Sequence, residues 1–336
     1  MMCLTLLSLL PSTGAYFFYS LGDWGGDSDS KPTTAVELNN AMGMVAAAST
    51  LGTDSEPVPR FGMLVGDNFY SAGISGDELS SRFQSTFEDA FPASHNELSI
   101  PFYAVAGNHD HKGNVTAQIS YAHHSARWKF DDFWYTFSAT DDSTGMTTQV
   151  VYIDTVTLAG SHYHDDVTGR FVHDEPHPME VHAPSQLEWL ETTLATSTAD
   201  YLWVSGHYPI YSQCSHGPTT KLHSSVLPLL KKHNVTGYIA GHDHCSGYYF
   251  DAGIAHVVAG AGKECCYSPS NLNNKNNPGQ PLFRMDADKN KGDGGGFASY
   301  SVTDSSTTIR FHAASGKVQY TAAPIPPRKL TMVEEA

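Results

Sequence analysis

One sequence unit recurs along this chain and constrains its fold more than any other feature. A run of β-branched and aromatic residues is followed by glycine and then by aspartate, asparagine or histidine. Short apolar runs that end at glycine are typical of buried strands, and glycine permits a tight turn with close approach of neighbouring backbones. The unit occurs five times, as YFFYSLGD (16–23), FGMLVGD (61–67), PFYAVAGNH (101–109), YLWVSGH (201–207) and TGYIAGH (236–242).

Helical patterns separate these predicted strands. In ELSSRFQSTFEDAF (78–91), Leu79, Phe83, Phe87 and Phe91 recur at helical spacing, which predicts an amphipathic helix. Two further segments with apolar residues on one face follow later in the chain, and the tail has the pattern of an antiparallel meander. These are the helix 184–194, the helix 221–234 bent or interrupted at Pro228, and the strands of 297–322.

The order of these elements predicts the fold class. Strands that alternate with helices, followed by strands alone, favour one α/β domain with sheets inside and helices outside. We expect a single domain over 16–325, with a tail at 326–336 and no linker or internal domain repeat.

The first fifteen residues, MMCLTLLSLLPSTGA, have the apolar run and small residues of the second half of a signal peptide. We therefore predict cleavage at the end of 1–15, although the first basic residue is Lys31; the alternative is that this segment packs against the first strand. No other apolar run approaches the roughly 18–20 residues that a membrane span needs. Sequons at Asn114 and Asn234 are compatible with a secreted glycoprotein.

Charge restricts the class of partner. The chain has 19 basic and 35 acidic residues and a formal net charge of −16 at pH 7, which argues against a nucleic-acid partner. Protonation of all 18 histidines would bring the formal charge slightly above zero, as suits an acidic compartment. The alternative is that most of these are ordinary surface histidines.

The polar residues at the strand exits form the candidate site, because sites in open α/β sheets lie at the carboxyl ends of the strands. Any one of these short motifs is a weak signal, but five in this order strongly favour a dinuclear metal site. His242 and His244, two positions apart, project to the same side of an extended segment. The candidate ligands are Asp23, Asp67, Tyr70, Asn108, His207, His242 and His244.

The series GDWGG, GDNFY, GNHD, VSGH and GHDH resembles the metallophosphoesterases, and its tyrosine resembles the purple acid phosphatases. Longer stretches, among them GDNFYSAG, RFQSTFEDAF, GNHDHKGNVTAQISY, DTVTLAG, GHYPIYS, HGPT, GAG and GGFA, follow one another as in the small animal-type tartrate-resistant acid phosphatases. The resemblance covers roughly 16–325. It implies the calcineurin-like metallophosphoesterase fold, a four-layer α/β/β/α sandwich of two mixed sheets flanked by helices.

The resemblance also implies a role for each ligand. The first metal would be bound by Asp23, Tyr70 and His244, the second by Asn108, His207 and His242, and Asp67 would bridge both. Ligand charge favours the same assignment, because the first site collects most of the anions and a phenol ionises readily beside a trivalent ion. We therefore expect Fe(III) in the first site and Fe(II), Zn(II) or Mn(II) in the second.

The implied activity is that of an acid phosphatase that hydrolyses phosphate monoesters by direct attack of a metal-bound hydroxide. His109 and His216 resemble the outer histidines that hold substrate and protonate the leaving group, and Asp110 and Asn68 would orient ligands. The expected substrates are small-molecule or protein phosphate esters, with inorganic phosphate as product. We expect a monomer, secreted or in a lysosome- or vacuole-like compartment.

Two alternative functions are open. Another dinuclear phosphoesterase, such as a phosphodiesterase or nucleotide pyrophosphatase, would share most of the ligands, but those relatives lack the phenolate ligand that Tyr70 supplies. A non-catalytic metal-binding module would keep the fold, and the full ligand set together with His109 argues against it.

The chain departs from the family at its cysteines. The half-cystines of the animal-type enzymes fall at Ala159 and Lys221, so that disulfide is absent. We expect the adjacent Cys265 and Cys266 to bond to Cys214 and Cys245, or to stay free, rather than to bond to each other, with Cys245 paired to Cys265 or Cys266.

A second departure is the loop at 161–182, which matches in position an exposed loop that overhangs and represses the site in the family. It is rich in histidine, with residues His162, His164, His173, His177 and His182. One hypothesis is a pH-responsive lid, and the alternative is a solvated surface loop.

Overall fold

The computed structural model describes residues 16–159, 182–286 and 294–328, together with the backbone of two short strands at 163–165 and 170–172. The predicted signal peptide at 1–15 and most of the histidine-rich loop, including its proposed role as a lid, lie outside the described residues. None of the helices in the described ranges is long and apolar enough to cross a membrane.

The described ranges contain strands and helices in the following order. The strands are β1 (Tyr16–Leu21), β2 (Gly62–Leu64), β3 (Phe102–Ala104), β4 (Trp128–Lys129), β5 (Tyr135–Thr140), β6 (Thr147–Tyr152), β7 (Tyr163–Asp165), β8 (Arg170–Val172), β9 (Tyr201–Ser205), β10 (Gly237–Ala240), β11 (Ser246–Asp251), β12 (Ile254–Ala259), β13 (Phe283–Arg284), β14 (Gly296–Val302), β15 (Thr307–Ala313) and β16 (Val318–Thr321). The α-helices are α1 (Ala35–Leu51), α2 (Val115–Tyr121), α3 (Thr155–Ala159), α4 (Ala183–Thr196), α5 (Thr220–Ser225) and α6 (Leu227–Lys232).

Two seven-stranded mixed sheets form the centre of the molecule, as predicted. The first has the order β16-β15-β14-β1-β2-β3-β4, and the second has the order β13-β11-β12-β10-β9-β6-β5. Strands β1 to β4 are mutually parallel in the first sheet, and β6, β9, β10 and β12 are mutually parallel in the second. All five strands predicted from the recurring unit are present, and each lies in one of these parallel sets.

Aromatic side chains fill the space between the two sheets. All six residues of β1 are buried, as expected for a strand that is covered on both faces. Phe18 of β1 stacks on Tyr300 of β14 with ring centroids 4.5 Å apart, and Trp203 of β9 meets the Tyr300 ring edge-on at 5.1 Å. These contacts join the sheets and fix the positions of the strand ends relative to each other.

Helices cover the outer faces. Helix α1 begins at a capping box, in which the side chains of Thr34 and Glu37 each accept a hydrogen bond from the other residue's backbone amide. The helix lies against β14. Leu190 and Leu194 of α4 pack with α5 and α6 on the second sheet. The predicted interruption at Pro228 is confirmed, since α5 ends at Ser225 and α6 begins at Leu227.

The predicted helix at 78–91 is only partly correct. A π-helix spans Phe83–Glu88, and Leu79 is 73% exposed, although the three phenylalanines of the segment are buried. The Asp77 side chain accepts a hydrogen bond from the Leu79 amide, and its carbonyl accepts one from Ser80. This local turn competes with the helix, so the helix begins after Leu79.

The predicted cysteine pairing is wrong. Cys214 is bonded to Cys245, and Cys265 is bonded to Cys266. Cys214 lies in the loop after β9 and Cys245 lies directly before β11; the two are buried together against Val258, with Cα atoms 6.8 Å apart. Because the fold brings this pair within bonding reach, Cys265 and Cys266 are the two cysteines of the described ranges that are left to bond to each other.

Candidate metal centre

The carboxyl ends of the parallel strands of both sheets meet at one place. The amide of His242, after β10, donates to Asp23 Oδ2 at 2.7 Å, and Asp23 follows β1 of the other sheet. His207, after β9, has its Nδ1 3.0 Å from the carbonyl oxygen of Val65, which follows β2. The seven predicted ligands are therefore brought together from both sheets, as the strand order requires.

The first group of side chains is centred on the hydroxyl of Tyr70. This oxygen lies 3.1 Å from Asp23 Oδ1, 3.0 Å from Asp67 Oδ2 and 3.0 Å from His244 Nε2. Ligand atoms of Asp23, Asp67 and His244 all lie within 4.8 Å of one another, and the three residues are buried. Two carboxylates, a phenol and an imidazole thus converge on a small volume.

The second group is centred on the amide of Asn108. Its Oδ1 lies 3.0 Å from His207 Nε2 and 3.1 Å from His242 Nδ1. Asp67 connects the two groups, because its Oδ1 lies 3.4 Å from His207 Nε2 while its Oδ2 contacts Tyr70. The position of Asp67 between the groups is the one that a bridging carboxylate requires.

The backbone at the strand exits is strained in the way that functional sites often are. Asp23, Asp67 and His242 have φ angles of 57°, 52° and 70°, in the left-handed region that residues other than glycine seldom adopt. The glycine before Asp67 also has a positive φ, of 95°, and a Cβ there would lie 2.4 Å from His207 Nδ1. The glycines of the recurring unit therefore leave room for ligands that come from neighbouring strands.

Charge in the cluster indicates that a cation belongs there. Burial, together with the carboxylates of Asp23 and Asp67, raises the pKa of Tyr70 well above its usual value, so the protein alone does not ionise this phenol. Burial lowers the pKa of His207, but Asp67 outweighs this effect and holds the pKa at about 9. Buried carboxylates need a compensating charge, and this set of oxygen and nitrogen donors fits metal ions that neutralise them.

The two predicted outer histidines lie at the edge of this cluster. The amide of His109 donates to Asp67 Oδ1 at 2.9 Å, and its ring Nδ1 lies 2.6 Å from the carbonyl oxygen of Ser71, while Nε2 lies 3.9 Å from Asp67 Oδ2. The exposed His216 stacks on His242 with ring centroids 4.3 Å apart. Both imidazoles are therefore within reach of a substrate bound between the two groups.

Asp110 and Asn68 hold the ligand-bearing loops, as expected. The buried carboxylate of Asp110 accepts hydrogen bonds from the amides of Asn68 and Phe69 and from the Gly107 amide at 2.7 Å. The Asn68 side chain donates to the carbonyl of Val105 at 2.9 Å. Because these bonds join the loop after β2 to the loop after β3, they fix Asp67 relative to Asn108.

A third group of residues at this site was not predicted from the sequence. β12 ends at the same edge, and the residues after it include Glu264, whose Oε1 lies 2.7 Å from His244 Nδ1. Lys263 lies over the ring of Tyr70, and Tyr267 stacks on His244. The signal was present in IAHVVAGAG (254–262), which has the same apolar run and glycine as the recurring unit but lacks a polar residue directly afterwards.

Comparison with known proteins decides the family. The sequence profile described as calcineurin-like phosphoesterase matches residues 5–246. The chain belongs to this family. Tartrate-resistant acid phosphatase type 5 of Homo sapiens is 38% identical to it over 318 residues, which cover 92% of each protein. Purple acid phosphatase 7 of Arabidopsis thaliana is 27% identical over 307 residues, covering 91% of this chain and 85% of the plant protein.

The fold is also shared with a solved structure that is described by a different role. Plasmodium GAP50, described as the anchor in the inner membrane complex, superposes with a TM-score of 0.74 at 23% identity, covering 94% of this chain and 90% of GAP50. This likeness shows the fold alone. The predicted resemblance to the animal-type tartrate-resistant enzymes and the prediction of a hydrolase are confirmed by the sequence relatives, and family membership implies a dinuclear metal centre.

Proposed function

We propose that this calcineurin-like phosphoesterase is an acid phosphatase that hydrolyses phosphate monoesters at a dinuclear metal centre. The observation that carries the proposal is the position of the Tyr70 hydroxyl, about 3 Å from Asp23, Asp67 and His244. Such a phenol converts an ordinary carboxylate and histidine cluster into one suited to a trivalent ion. Identity to proteins named tartrate-resistant acid phosphatases supports the same reading.

The ligands divide between two ions in this proposal. Fe(III) would be held by the group around Tyr70, and Fe(II), Zn(II) or Mn(II) by the group around Asn108, with Asp67 common to both. The phenol has a usual pKa near 10, and a trivalent cation held by this group would favour its ionised form despite its burial. The second group offers an amide and two imidazoles, which suit a divalent ion.

The chain's own groups bind and orient the substrate. When bound, the ions would supply Lewis acidity for the phosphoryl group and for the attacking water. His109 is fixed by its Nδ1 contact with Ser71, so its Nε2 faces the region between the two ligand groups and can hold a phosphoryl oxygen. His216, stacked on His242, is placed to give a proton to the leaving alkoxide.

The backbone of His216 is held firmly enough for this role. Its amide donates to Asp243 Oδ1 at 2.8 Å, and the amide of Gly217 donates to Asp243 Oδ2 at 3.0 Å. In the sequence, Asp243 lies between His242 and His244, in the loop after β10. The loop that carries His216 is therefore fixed to the segment that carries two of the proposed ligands.

The proposed setting is an acidic one. A secreted or lysosome- or vacuole-like location agrees with the histidine content, since protonation of the 18 histidines removes the net negative charge that would repel a phosphate ester. Small-molecule or protein phosphate esters are the proposed substrates, and a monomer is the proposed state.

Turnover of two model substrates tests the function. The metal-loaded protein should hydrolyse para-nitrophenyl phosphate at pH 5 much faster than bis-para-nitrophenyl phosphate. His216→Ala should lower kcat for an alkyl monoester such as glycerol phosphate by about 10²- to 10⁴-fold, because the alkoxide then departs without a proton donor, and should affect para-nitrophenyl phosphate much less. Preference for the diester would favour the phosphodiesterase alternative, and no turnover of either ester by protein with both ions bound would favour a non-catalytic module.

A further inference from the structure

The segment that follows β12 lies against the ligands of the proposed first metal. We call residues 263–267, KECCY, the wall segment. Strand β12 is parallel to β10, and Val258 pairs with Ala240, so the two strands end side by side. The wall segment therefore begins next to the loop that carries His242 and His244.

Hydrogen bonds fix the chain just before the wall segment and at its last residue. The side-chain amide of Asn40, from helix α1, donates to the carbonyls of Ala261 at 3.1 Å and Gly262 at 2.9 Å. At the far end the amide of Tyr267 donates to the carbonyl of His244 at 3.0 Å. The wall segment is thus fixed directly to one of the proposed ligands.

Glu264 determines how His244 presents its ring. Its Oε1 lies 2.7 Å from Nδ1 of His244, and an ionised carboxylate can only accept, so Nδ1 carries the hydrogen. In the neutral imidazole the lone pair is then on Nε2, which lies 3.0 Å from the Tyr70 hydroxyl and 3.5 Å from Asp23 Oδ1. Tyr267 stacks on the same imidazole, with the ring centroids 4.4 Å apart and the rings 14° from parallel. This stacking limits the rotation of the His244 ring.

Lys263 places a positive charge against Tyr70, another proposed ligand of the first metal. Its Nζ lies 4.1 Å from the centroid of the Tyr70 ring, and its side chain is only 14% exposed. The ammonium also lies 3.1 Å from Asp27 Oδ1, which fixes its direction. A cation over an aromatic face is attracted to it, and the attraction increases when the phenol becomes a phenolate.

We propose that Glu264 and Lys263 are positioning residues for the first metal, acting through His244 and Tyr70 respectively. Glu264 selects the tautomer and orientation in which His244 offers Nε2, and Lys263 holds its positive charge over the face of the Tyr70 ring. The proposal rests on the proposed function, because it takes the group around Tyr70 as a metal site. Outer carboxylates of this kind typically change metal affinity by about 10- to 100-fold.

Iron retention tests the role of Glu264. Iron-loaded wild type, Glu264→Ala and Glu264→Gln are titrated with a chelator while the phenolate-to-iron absorption is followed, and circular dichroism confirms folding. Glu264→Ala should lose first-site iron at about 10- to 100-fold lower chelator concentration. Glu264→Gln retains an acceptor oxygen for Nδ1–H and should be intermediate. The matched control is Glu188→Gln, an exposed glutamate on α4, which should match wild type.

The outcomes separate this inference from the proposed function. A wild type that binds no iron would contradict the proposed function itself. A folded Glu264→Ala that retains iron as firmly as an iron-binding wild type would contradict only the role of Glu264.

The absorption maximum tests the role of Lys263. Lys263→Met keeps an unbranched apolar stem and removes the charge, so the phenolate electrons are held less tightly and the absorption should move to longer wavelength. Lys275→Met, in an exposed loop, is the control and should leave the band in place. An unshifted band in iron-loaded Lys263→Met would contradict the electrostatic role of Lys263.

Discussion

Tyr70 shows how neighbouring aromatic residues of one segment acquire different roles. Phe69 is fully buried and packs edge-on against Phe83 at 5.1 Å, so it belongs to the core. Tyr70, the next residue, is also buried, but its hydroxyl faces three proposed metal ligands. The sequence could indicate this difference because Tyr70 follows a strand, a glycine and an aspartate, whereas burial alone could not.

Tyr70→Phe tests whether the phenol is a metal ligand. Removal of the hydroxyl should abolish the phenolate-to-iron absorption of the iron-loaded protein and reduce iron retention, while the ring continues to fill its place in the fold. The measurement is a visible spectrum of both proteins beside their iron content. A wild-type spectrum in folded Tyr70→Phe would contradict the assignment.

At the same scale, two residues next to the site were beyond prediction. Lys263 and Glu264 follow β12 only after Gly260, Ala261 and Gly262, so the polar residues are displaced from the strand exit where the recurring unit places them. Their roles depend on where β12 lies in the second sheet, next to β10. That neighbour relation is a property of the sheet order and is not encoded locally.

At the scale of the elements, the strand-exit glycines provide space for the site. A Cβ on Gly107, after β3, would lie 2.2 Å from Asp67 Oδ1 and 2.4 Å from the Asp67 amide nitrogen. Contacts that short do not occur, so Asp67 would have to move away from its position between the two ligand groups. The glycine that the sequence suggests as a turn residue therefore acts mainly by leaving room for a ligand.

Gly107→Ala should consequently reduce both metal affinity and stability. We expect a loss of at least about 10-fold in metal affinity and about 1–3 kcal/mol in the free energy of unfolding. Metal analysis and urea unfolding measure the two quantities. Gly253→Ala is a matched control, since a Cβ there has nothing within 4 Å and only the positive φ of 84° is strained. If Gly107→Ala keeps both ions, its proposed steric role is wrong.

Most elements were predictable because their signals are local. Apolar runs that end at glycine gave the strands, and the helix at 184–194 was marked by its leucine spacing. The π-helix at Phe83–Glu88, which begins later than the predicted helix at 78–91, was not predictable, because the Asp77 turn competes with the helical pattern. The cysteine pairing was not predictable either, since it depends on the packing of Cys214 beside Cys245.

At the scale of the whole molecule, buried polar contacts join the two sheets. The hydroxyl of Tyr16, in the first sheet, donates to Thr148 Oγ1 of the second sheet at 2.6 Å. His111, in a short 3-10 helix after β3, has its Nε2 2.8 Å from Oδ2 of Asp154, the second residue after β6, and both side chains are buried. Because the proposed metal ligands come from both sheets, contacts of this kind help to keep the site assembled.

The pair of His111 and Asp154 should make stability depend on pH. Burial lowers the pKa of His111, but the charge of Asp154 has the larger effect, so the pKa of His111 lies above its ordinary 6.5. Burial raises the pKa of Asp154, but His111 has the larger effect, so the pKa of Asp154 lies below its ordinary 3.8. The stabilisation that this ion pair gives to the fold is therefore present in full between pH 3.8 and pH 6.5, the ordinary pKa values of the two groups. It is lost as the pH rises through the raised pKa of His111, or falls through the lowered pKa of Asp154.

Urea unfolding at two pH values tests this dependence. His111→Gln should lower the free energy of unfolding by about 3–5 kcal/mol at pH 5.5, because it leaves a buried carboxylate without its charged partner. The difference from wild type should be smaller at a pH above the raised pKa of His111, where the imidazole is neutral in wild type. His123→Gln, at an exposed position, is the control. An equal loss at both pH values would contradict a charged pair.

Metal content per chain tests the central claim most directly, that seven side chains from two sheets form one dinuclear centre. Purified wild type should hold two metal ions per chain, at least one of them iron. Asp67→Asn should hold fewer than two, because asparagine tolerates the positive φ of 52° at this position but removes the bridging charge. An active wild type that contains one ion, or only zinc or manganese, or an Asp67→Asn variant that keeps both ions, would contradict the account.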